Sequence, residues 1–492
     1  MQIGDRLRGF LEQCPFGGKQ LVRQSDDRVG EDIQAAASRN GSDRCRSASA
    51  RGVEIPARIL HYRAPASATL LVDSTSLAWR SVSGSLFLVG LSRGFHLVVV
   101  LRRRYNPRMV DPAVGELLGG LSSSAFLRRH WQKKPLLVRQ AVQNFRGLLS
   151  RAELFALAAR DDVESRLVRR RRGRWTLAQG PFHATALSHL PARDWTLLVQ
   201  GVNLHVAAAD ALLRRFAFVP YARLDDVMVS YAAPGGGVGP HIDSYDVFLL
   251  QGEGRRRWQI SRASNASDRK TDPSLPVKIL ARFRPQEEHE LVAGDMLYLP
   301  PGYAHDGVAL DACTTYSIGF RAPTAQELGT AFLDWLRDSI ALEGRYADPS
   351  LAPAAEPARI GAVMQKRCSA MLAGIRWSDA VVGRFLGCYL SEPKPNVFFE
   401  APFRPIGAAA FRSASVRRGV RLDPRTQLLY DGNHVFLNGT ALDFAGHDAI
   451  LIKRLANARH LPGARLAKSN VPRGGATALI YRWYRDGFLH LG

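Results

Sequence analysis

The chain has 492 residues, 46% of them hydrophobic, so it can bury a sizeable core and is not a globally disordered polymer. Its net charge of +23 comes from 58 arginines and 9 lysines against 44 acidic residues and favours polyanionic surroundings such as nucleic acid or a ribonucleoprotein. Five cysteines without C-x-x-C spacing argue against a disulfide framework or zinc–cysteine site and fit a cytoplasmic protein, and the apolar stretch 86–101, broken by Arg93 and His96, is too short to span a membrane.

Residues 1–108 carry 17 basic and 9 acidic residues without a sustained period. The run 39–52 reads as a polar loop, and Leu97 to Leu101 as a single strand with no convincing partner nearby. This segment is expected to be poorly ordered: either a basic arm that binds RNA, or a mis-called extension ahead of a true start at Met109.

Periodic order begins after Met109. Ser122, Ser123 and Ser124 precede a helix, and Ser150 with Glu153 forms a capping box before another. Residues 165–177 predict a hairpin with R-R-R-R-G-R (169–174) at its tip, readable as a solvated turn or as an RNA-docking element. Trp195 to His205 is apolar on a helical face and predicts a packed helix. Strands are expected at 226–232, 246–251, 255–260, 296–299 and 316–320, separated by Gly/Pro turns. Such a series without intervening helices predicts a small antiparallel barrel or sandwich, whose mouth can hold a metal and a small ligand.

One stretch concentrates chemistry. P-G-G-G-V-G-P-H-I-D (234–243) places His241 and Asp243 in an H-x-D pair just after a Gly-rich turn, and G-D-M-L-Y-L-P-P-G-Y-A-H (294–305) supplies His305. Two imidazoles and one carboxylate that leave a metal face open form the ligand set of non-haem Fe(II) oxygenases. A 2-oxo acid bound there needs a cation for its far carboxylate. Strand alternation sends Arg256 to the face opposite Arg255 and Arg257, and an arginine inside a barrel is costly unless it meets a bidentate anion.

From about Met109 onward the chain resembles the bacterial ribosomal oxygenases, JmjC-type cupin-fold enzymes, and among them those that hydroxylate an arginine of ribosomal protein uL16. The resemblance rests on H-W-Q-K-K-P (130–135), D-D-V-M-V-S-Y (225–231), the 234–248 stretch, Q-G-x-G-R-R-R-W (251–258), the 294–305 stretch and Y-S-I-G-F-R-A-P (316–323). It implies Fe(II) held by His241, Asp243 and His305, and 2-oxoglutarate as co-substrate on Arg256, helped by Thr315 and Ser230. Ala232 stands where a serine is expected, which changes the minor 2-oxoglutarate contacts. The implied activity is a 2-oxoglutarate-dependent dioxygenase that hydroxylates a ribosomal protein side chain, an arginine of uL16 first. The alternatives are histidine hydroxylation of another ribosomal protein and a non-enzymatic cupin with a nucleic-acid-binding tail. Asp225, Asp226 and Asp246 are candidates to receive a substrate guanidinium.

The expected architecture is mainly β with α. A double-stranded β-helix barrel (109–323) is followed by a helical dimerisation region (324–395) and a winged-helix-like domain (396–492). Thr324 to Leu342, Ile360 to Leu372 and Ala380 to Leu390 read as helices. The short strands and helices beyond Pro402 resemble a winged helix, more readily a protein-docking module than a reader of DNA. The expected partners are a uL16-like ribosomal protein, ribosomal RNA in its proximity, and a second copy of the chain.

Overall fold

The computed structural model describes residues 77–82, 85–92, 95–101, 114–262, 269–275, 277–443, 446–467 and 475–492. Contacts divide the chain between residues 102 and 103. In the first unit, β1 (Leu77–Val82), β2 (Ser85–Ser92) and β3 (Phe95–Leu101) form an antiparallel sheet. The strand expected at Leu97 to Leu101 therefore does have a partner, with Leu97 opposite Gly90 and Leu101 opposite Leu86. The partner was hidden because Ser85–Ser92 contains a glycine and little polar alternation. The expectations for 39–52 lie outside the described residues.

The second unit opens with a short helix at Val114–Leu117, followed by a helix at Ser123–Arg129, capped by the Ser122 side chain, and β4 (Leu136–Val138). The helix Arg151–Ala158 begins with the expected capping box. The hairpin β5 (Ser165–Arg171) and β6 (Arg174–Gln179) follows, then β7 (Trp195–Val199). Next come β8 (Leu224–Ala232), β9 (His241–Ile242), β10 (Val247–Gln251) and β11 (Arg256–Arg262). The series ends with β12 (Glu287–Leu291), β13 (Met296–Leu299), β14 (Tyr303–Ala309) and β15 (Cys313–Phe320). They form an eight-stranded sheet, β4-β13-β10-β15-β8-β7-β5-β6, and a four-stranded sheet, β12-β11-β14-β9.

The helix expected over Trp195 to His205 is a correction. All five residues of β7 are buried, and the strand pairs with β5 and β8; only the turn Val202–Leu204 is helical. A run apolar on both faces has no period of two, so pattern alone cannot separate it from a buried helix.

The two faces of β10 show how the sequence fills the interior. Val247 and Leu249 point inward and pack with Trp258, Ile260, Leu291, Leu297 and Leu299 between the sheets. Phe248 and Leu250 point outward into a second core with Phe126, Leu154 and Leu212 from the covering helices. Burying each such side chain is worth about 1.5–3 kcal/mol. Polar groups in this layer are satisfied: the Tyr316 hydroxyl accepts from Leu148 and Leu149 N–H, and Tyr298 Oη donates to Asp246 at 2.6 Å.

After the barrel come helices Ala325–Ser339, with the Thr324–Glu327 capping box, Ala362–Leu372 and Asp379–Ser391. The C-terminal region has its own core around Phe411, Leu455, Ile480 and Trp483. Two three-stranded sheets and the helices Ala408–Arg418, Gly446–Ala458 and Ala476–Arg485 enclose it. Among the described residues no helix is long and apolar enough to cross a membrane.

Candidate active site

The site is built where β9 and β14 pair. His241 lies directly opposite His305, with ring centroids 4.2 Å apart. Asp243, two residues beyond His241, falls on the same side of the chain. Its carboxylate oxygens lie 3.9 Å from His241 Nε2 and 3.7 Å from His305 Nε2. One ligand atom from each of the three residues lies within 4.8 Å of the others.

Backbone carbonyls fix the imidazoles. His241 Nδ1–H donates to Gly239 O at 2.9 Å, and His305 Nδ1–H donates to Tyr303 O at 3.1 Å. A carbonyl can only accept, so each ring carries a proton on Nδ1 and turns Nε2 toward the other two groups. Burial, with the neighbouring His241 ring, pulls the His305 pKa down to about 4, so this imidazole stays neutral near pH 7. A neutral imidazole is the form that binds a cation.

Two glycines shape the surroundings. Gly307 faces Trp258 across β14 and β11, and a Cβ there would come 2.6 Å from the indole. Gly239 has φ +79°, and a Cβ on it would meet Ile279 at 2.7 Å, so the turn into His241 requires glycine.

Arg256, Trp258 and Ile260 alternate into the barrel from β11, and Ile260 pairs with His305. The Cα of Arg256 thus lies roughly 13 Å along the strand from the His305 row, four residues at about 3.3 Å each. Trp258 lies between, 5.7 Å from the Arg256 guanidinium and 5.8 Å from the His305 ring. Arg256 is 4% exposed, yet its Nε and Nη2 have no hydrogen-bond partner among the described residues, and neither has Trp258 Nε1. By contrast Arg255 is half exposed and pairs with Asp311 and Glu290. Buried donors without acceptors are expensive, so the geometry suits an anion entering from outside. A dicarboxylate between Arg256 and the histidine–aspartate group fits these donors.

Thr315 and Ser230 are buried cross-strand partners on the inner face of the large sheet. Thr315 Oγ1 donates to Gln251 Oε1 at 3.1 Å, and Gln251 Nε2 donates to the carbonyls of Glu253 and Gly254, bracing the turn before Arg256. Ala232 packs with Ala309 and Cys313, an apolar patch where a serine was expected.

The three aspartates proposed as guanidinium receivers already have partners, which corrects that expectation. Asp225 and Asp226 hold Lys394 at 3.0 and 3.4 Å, and Asp226 also accepts from Gln200 at 2.6 Å. Asp246 accepts from Tyr298 and from Gln132 Nε2 at 3.0 Å. Gln132 belongs to the H-W-Q-K-K-P motif, whose Trp131 stacks on Tyr298, so that motif braces the barrel. Sequence reasoning missed Asp306. Its Oδ1 is buried without a hydrogen-bond partner, and burial holds its carboxyl above the usual range.

Two sheets facing each other, with two histidines and an aspartate at one end, define the class: a JmjC/cupin-type oxygenase fold. Residues 211–328 match the JmjC domain family and residues 374–490 the ROXA-like winged helix. The chain is 36% identical over 321 residues to the ribosomal protein uL16 3-hydroxylase of Escherichia coli (strain K12), covering 65% of this chain and 84% of that protein. It is 37% identical over 210 residues to the probable ribosomal oxygenase of Haemophilus influenzae, covering 42% of this chain and 52% of that protein. A solved structure of the E. coli ribosomal oxygenase YcfD in complex with cobalt and 2-oxoglutarate superposes with a TM-score of 0.63 at 31% identity, over 75% of this chain and 98% of that one. The chain belongs to the JmjC-type bacterial ribosomal oxygenases.

Proposed function

We propose that this chain is an Fe(II)- and 2-oxoglutarate-dependent oxygenase that hydroxylates an arginine of ribosomal protein uL16. The carrying observation is the His241–Asp243–His305 group in the same barrel interior as a buried Arg256 whose Nε and Nη2 have no hydrogen-bond partner among the described residues. His241, Asp243 and His305 would hold the metal, and Arg256 the far carboxylate of 2-oxoglutarate. Bound together, the metal and co-substrate supply the oxidation that places one oxygen of O2 in a substrate C–H bond and the other in succinate, with release of carbon dioxide.

The chain's own residues position and insulate. The Gly239 and Tyr303 carbonyls hold the Nδ1–H of each ring and aim both Nε2 atoms inward. Asp243 provides the negative charge that neutralises part of a divalent ion. Trp258, Ile260 and Leu249 line a water-poor wall behind the co-substrate. Thr315 and Gln251 hold the turn that sets the Arg256 backbone. Domain limits follow the same proposal: a barrel over 109–323, helices over 324–395, and a winged-helix-like module over 396–492.

Intact-mass analysis of ribosomal proteins from cells with and without this chain tests the reading. uL16 from cells that have it is expected to be heavier by one oxygen, mapping to an arginine. The same increment on a histidine of another ribosomal protein would move the target. No increment on any ribosomal protein would refute the assignment.

A homodimer follows from the helix Ala362–Leu372, which buries none of its residues and exposes Val363, Met364, Met371 and Leu372, with Ile360 and Trp377 nearby. Apolar patches of this kind mark protein contacts. Sedimentation should give twice the chain mass, and a Val363→Asp/Leu372→Lys variant the monomer. A cytoplasmic site of action fits a ribosomal substrate.

A further inference from the structure

We propose that the hairpin β5–β6 is an RNA-docking surface beside the site's entrance, so that the enzyme meets its ribosomal protein together with RNA; this rests on the functional assignment above. The hairpin lies at the open edge of the eight-stranded sheet, where β6 is the terminal strand. Arg169, Arg170, Arg171, Arg172 and Arg174 are all exposed. None of the five forms an ion pair among the described residues, and residues 165–179 contain no acidic side chain. Three arginines outside the hairpin show the contrast: Arg160 is neutralised by Asp162, Arg214 by Asp210 and Arg255 by Asp311.

The register sorts the charges. Arg171 faces Arg174 directly, which places Arg169, Arg171 and Arg174 on one side of the hairpin. Like charges directly opposite one another destabilise a strand pair, so nothing in the fold recommends this arrangement. On the other side Arg170 faces Trp175 and lies 5.4 Å from its ring. Trp175 packs at the turn into the site: a Cβ on Gly239, two residues before His241, would lie 3.3 Å from its Cζ2. The cationic tip therefore projects from an element that touches the metal-site turn.

This placement constrains the substrate. A segment bearing the target arginine is itself cationic, and an unneutralised arginine finger beside the entrance repels it. A polyanion laid along Arg169, Arg171, Arg172 and Arg174 removes the repulsion, and in a ribonucleoprotein that polyanion is RNA. Arginine forks bind phosphates bidentately, and such contacts give a steep salt dependence.

Fluorescence anisotropy of the full chain with a labelled RNA stem-loop, across a salt series, tests the proposal. The Arg169→Gln/Arg171→Gln/Arg172→Gln/Arg174→Gln variant should bind at least about tenfold more weakly. Its log–log salt slope should be shallower by roughly 3, the loss of about four phosphate contacts. The matching four-lysine variant should keep most of the slope. With a free ribosomal-protein peptide and no RNA, the glutamine variant should turn over as fast as the wild type or faster. Unchanged affinity and slope in the glutamine variant would place any RNA contact elsewhere and overturn the proposal. So would equal loss in the lysine variant, or phosphatidylglycerol vesicles bound as tightly as the RNA. RNA binding needs no turnover, so failure of the hydroxylase assignment and failure of this proposal give different results.

Discussion

Lys394 and Arg256 are both cations taken out of water, but the chain neutralises only the first. Lys394, just after the helix Asp379–Ser391, meets Asp225 and Asp226 on β8, and these carboxylates outweigh its burial and raise its pKa. Arg256 faces the barrel interior with two nitrogens unmatched. A buried charge is tolerated only when paired or hydrogen-bonded. Lys394 takes its counter-charge from the protein and ties the barrel to the segment that follows it. Arg256 takes its counter-charge from a ligand. The difference separates a structural ion pair from a binding site without reference to any relative.

The largest expected effect breaks the ligand side. Asp243→Ala or His305→Ala removes a group that would hold the metal. Hydroxylation should fall by more than ~100-fold, since even residues that merely orient metal ligands cost 10- to 100-fold. Coupled succinate formation and Mn(II) binding by electron paramagnetic resonance would register it; Mn(II) binding left intact in either variant would remove that residue from the site.

Exchanging each cation for methionine tests the comparison itself. Arg256→Met should weaken 2-oxoglutarate binding at least about 30-fold, the low end for truncating one partner of a buried charge pair. It should leave the ligand-free chain as stable as before, or more so, because the unmatched donors are gone. Lys394→Met should do the reverse, costing roughly 3–5 kcal/mol in denaturant unfolding while 2-oxoglutarate affinity changes little.

The Lys394→Met loss also has a pH sign. Burial already raises the Asp226 carboxyl, with Asp225 adding to it and Lys394 opposing. Without the lysine the folded-state carboxyl rises further above its unfolded value. The folded state then binds the proton more tightly, so stability is lowest at neutral pH and recovers as pH falls. A variant whose stability kept falling toward acid would contradict this pairing.

Thr315→Ala is the mildest test. It removes one hydrogen bond to Gln251, worth about 0.5–1.5 kcal/mol. The KM for 2-oxoglutarate should rise a few-fold with kcat unchanged. An effect on kcat alone would mean Thr315 acts on the substrate instead.

Much of the site was legible because its signals are local. A Gly-rich turn, an H-x-D pair and a following hairpin lie within 25 residues, and strand alternation set Arg256 on the face opposite its neighbours while the family resemblance picked it as the inward one. What escaped was long-range or period-free. Tyr303–Ala309 forms β14, but its Gly307, His305 and Asp306 give it no strand signature. β7 is apolar on both faces and mimicked a helix. Asp225 and Asp226 looked available because the lysine that occupies them lies 168 residues beyond Asp226. The capping box at Ser150 was read correctly because it needs only four consecutive residues.

The most direct test is a calorimetric titration of 2-oxoglutarate into the Mn(II)-loaded wild-type chain and its Arg256→Met variant, paired with unfolding in the same buffer. The wild type should bind and gain about 2.7 kcal/mol of stability at a hundredfold excess over Kd, while the variant gains almost none. Equal affinity in the two proteins would contradict the assignment of Arg256 as the co-substrate's counter-charge.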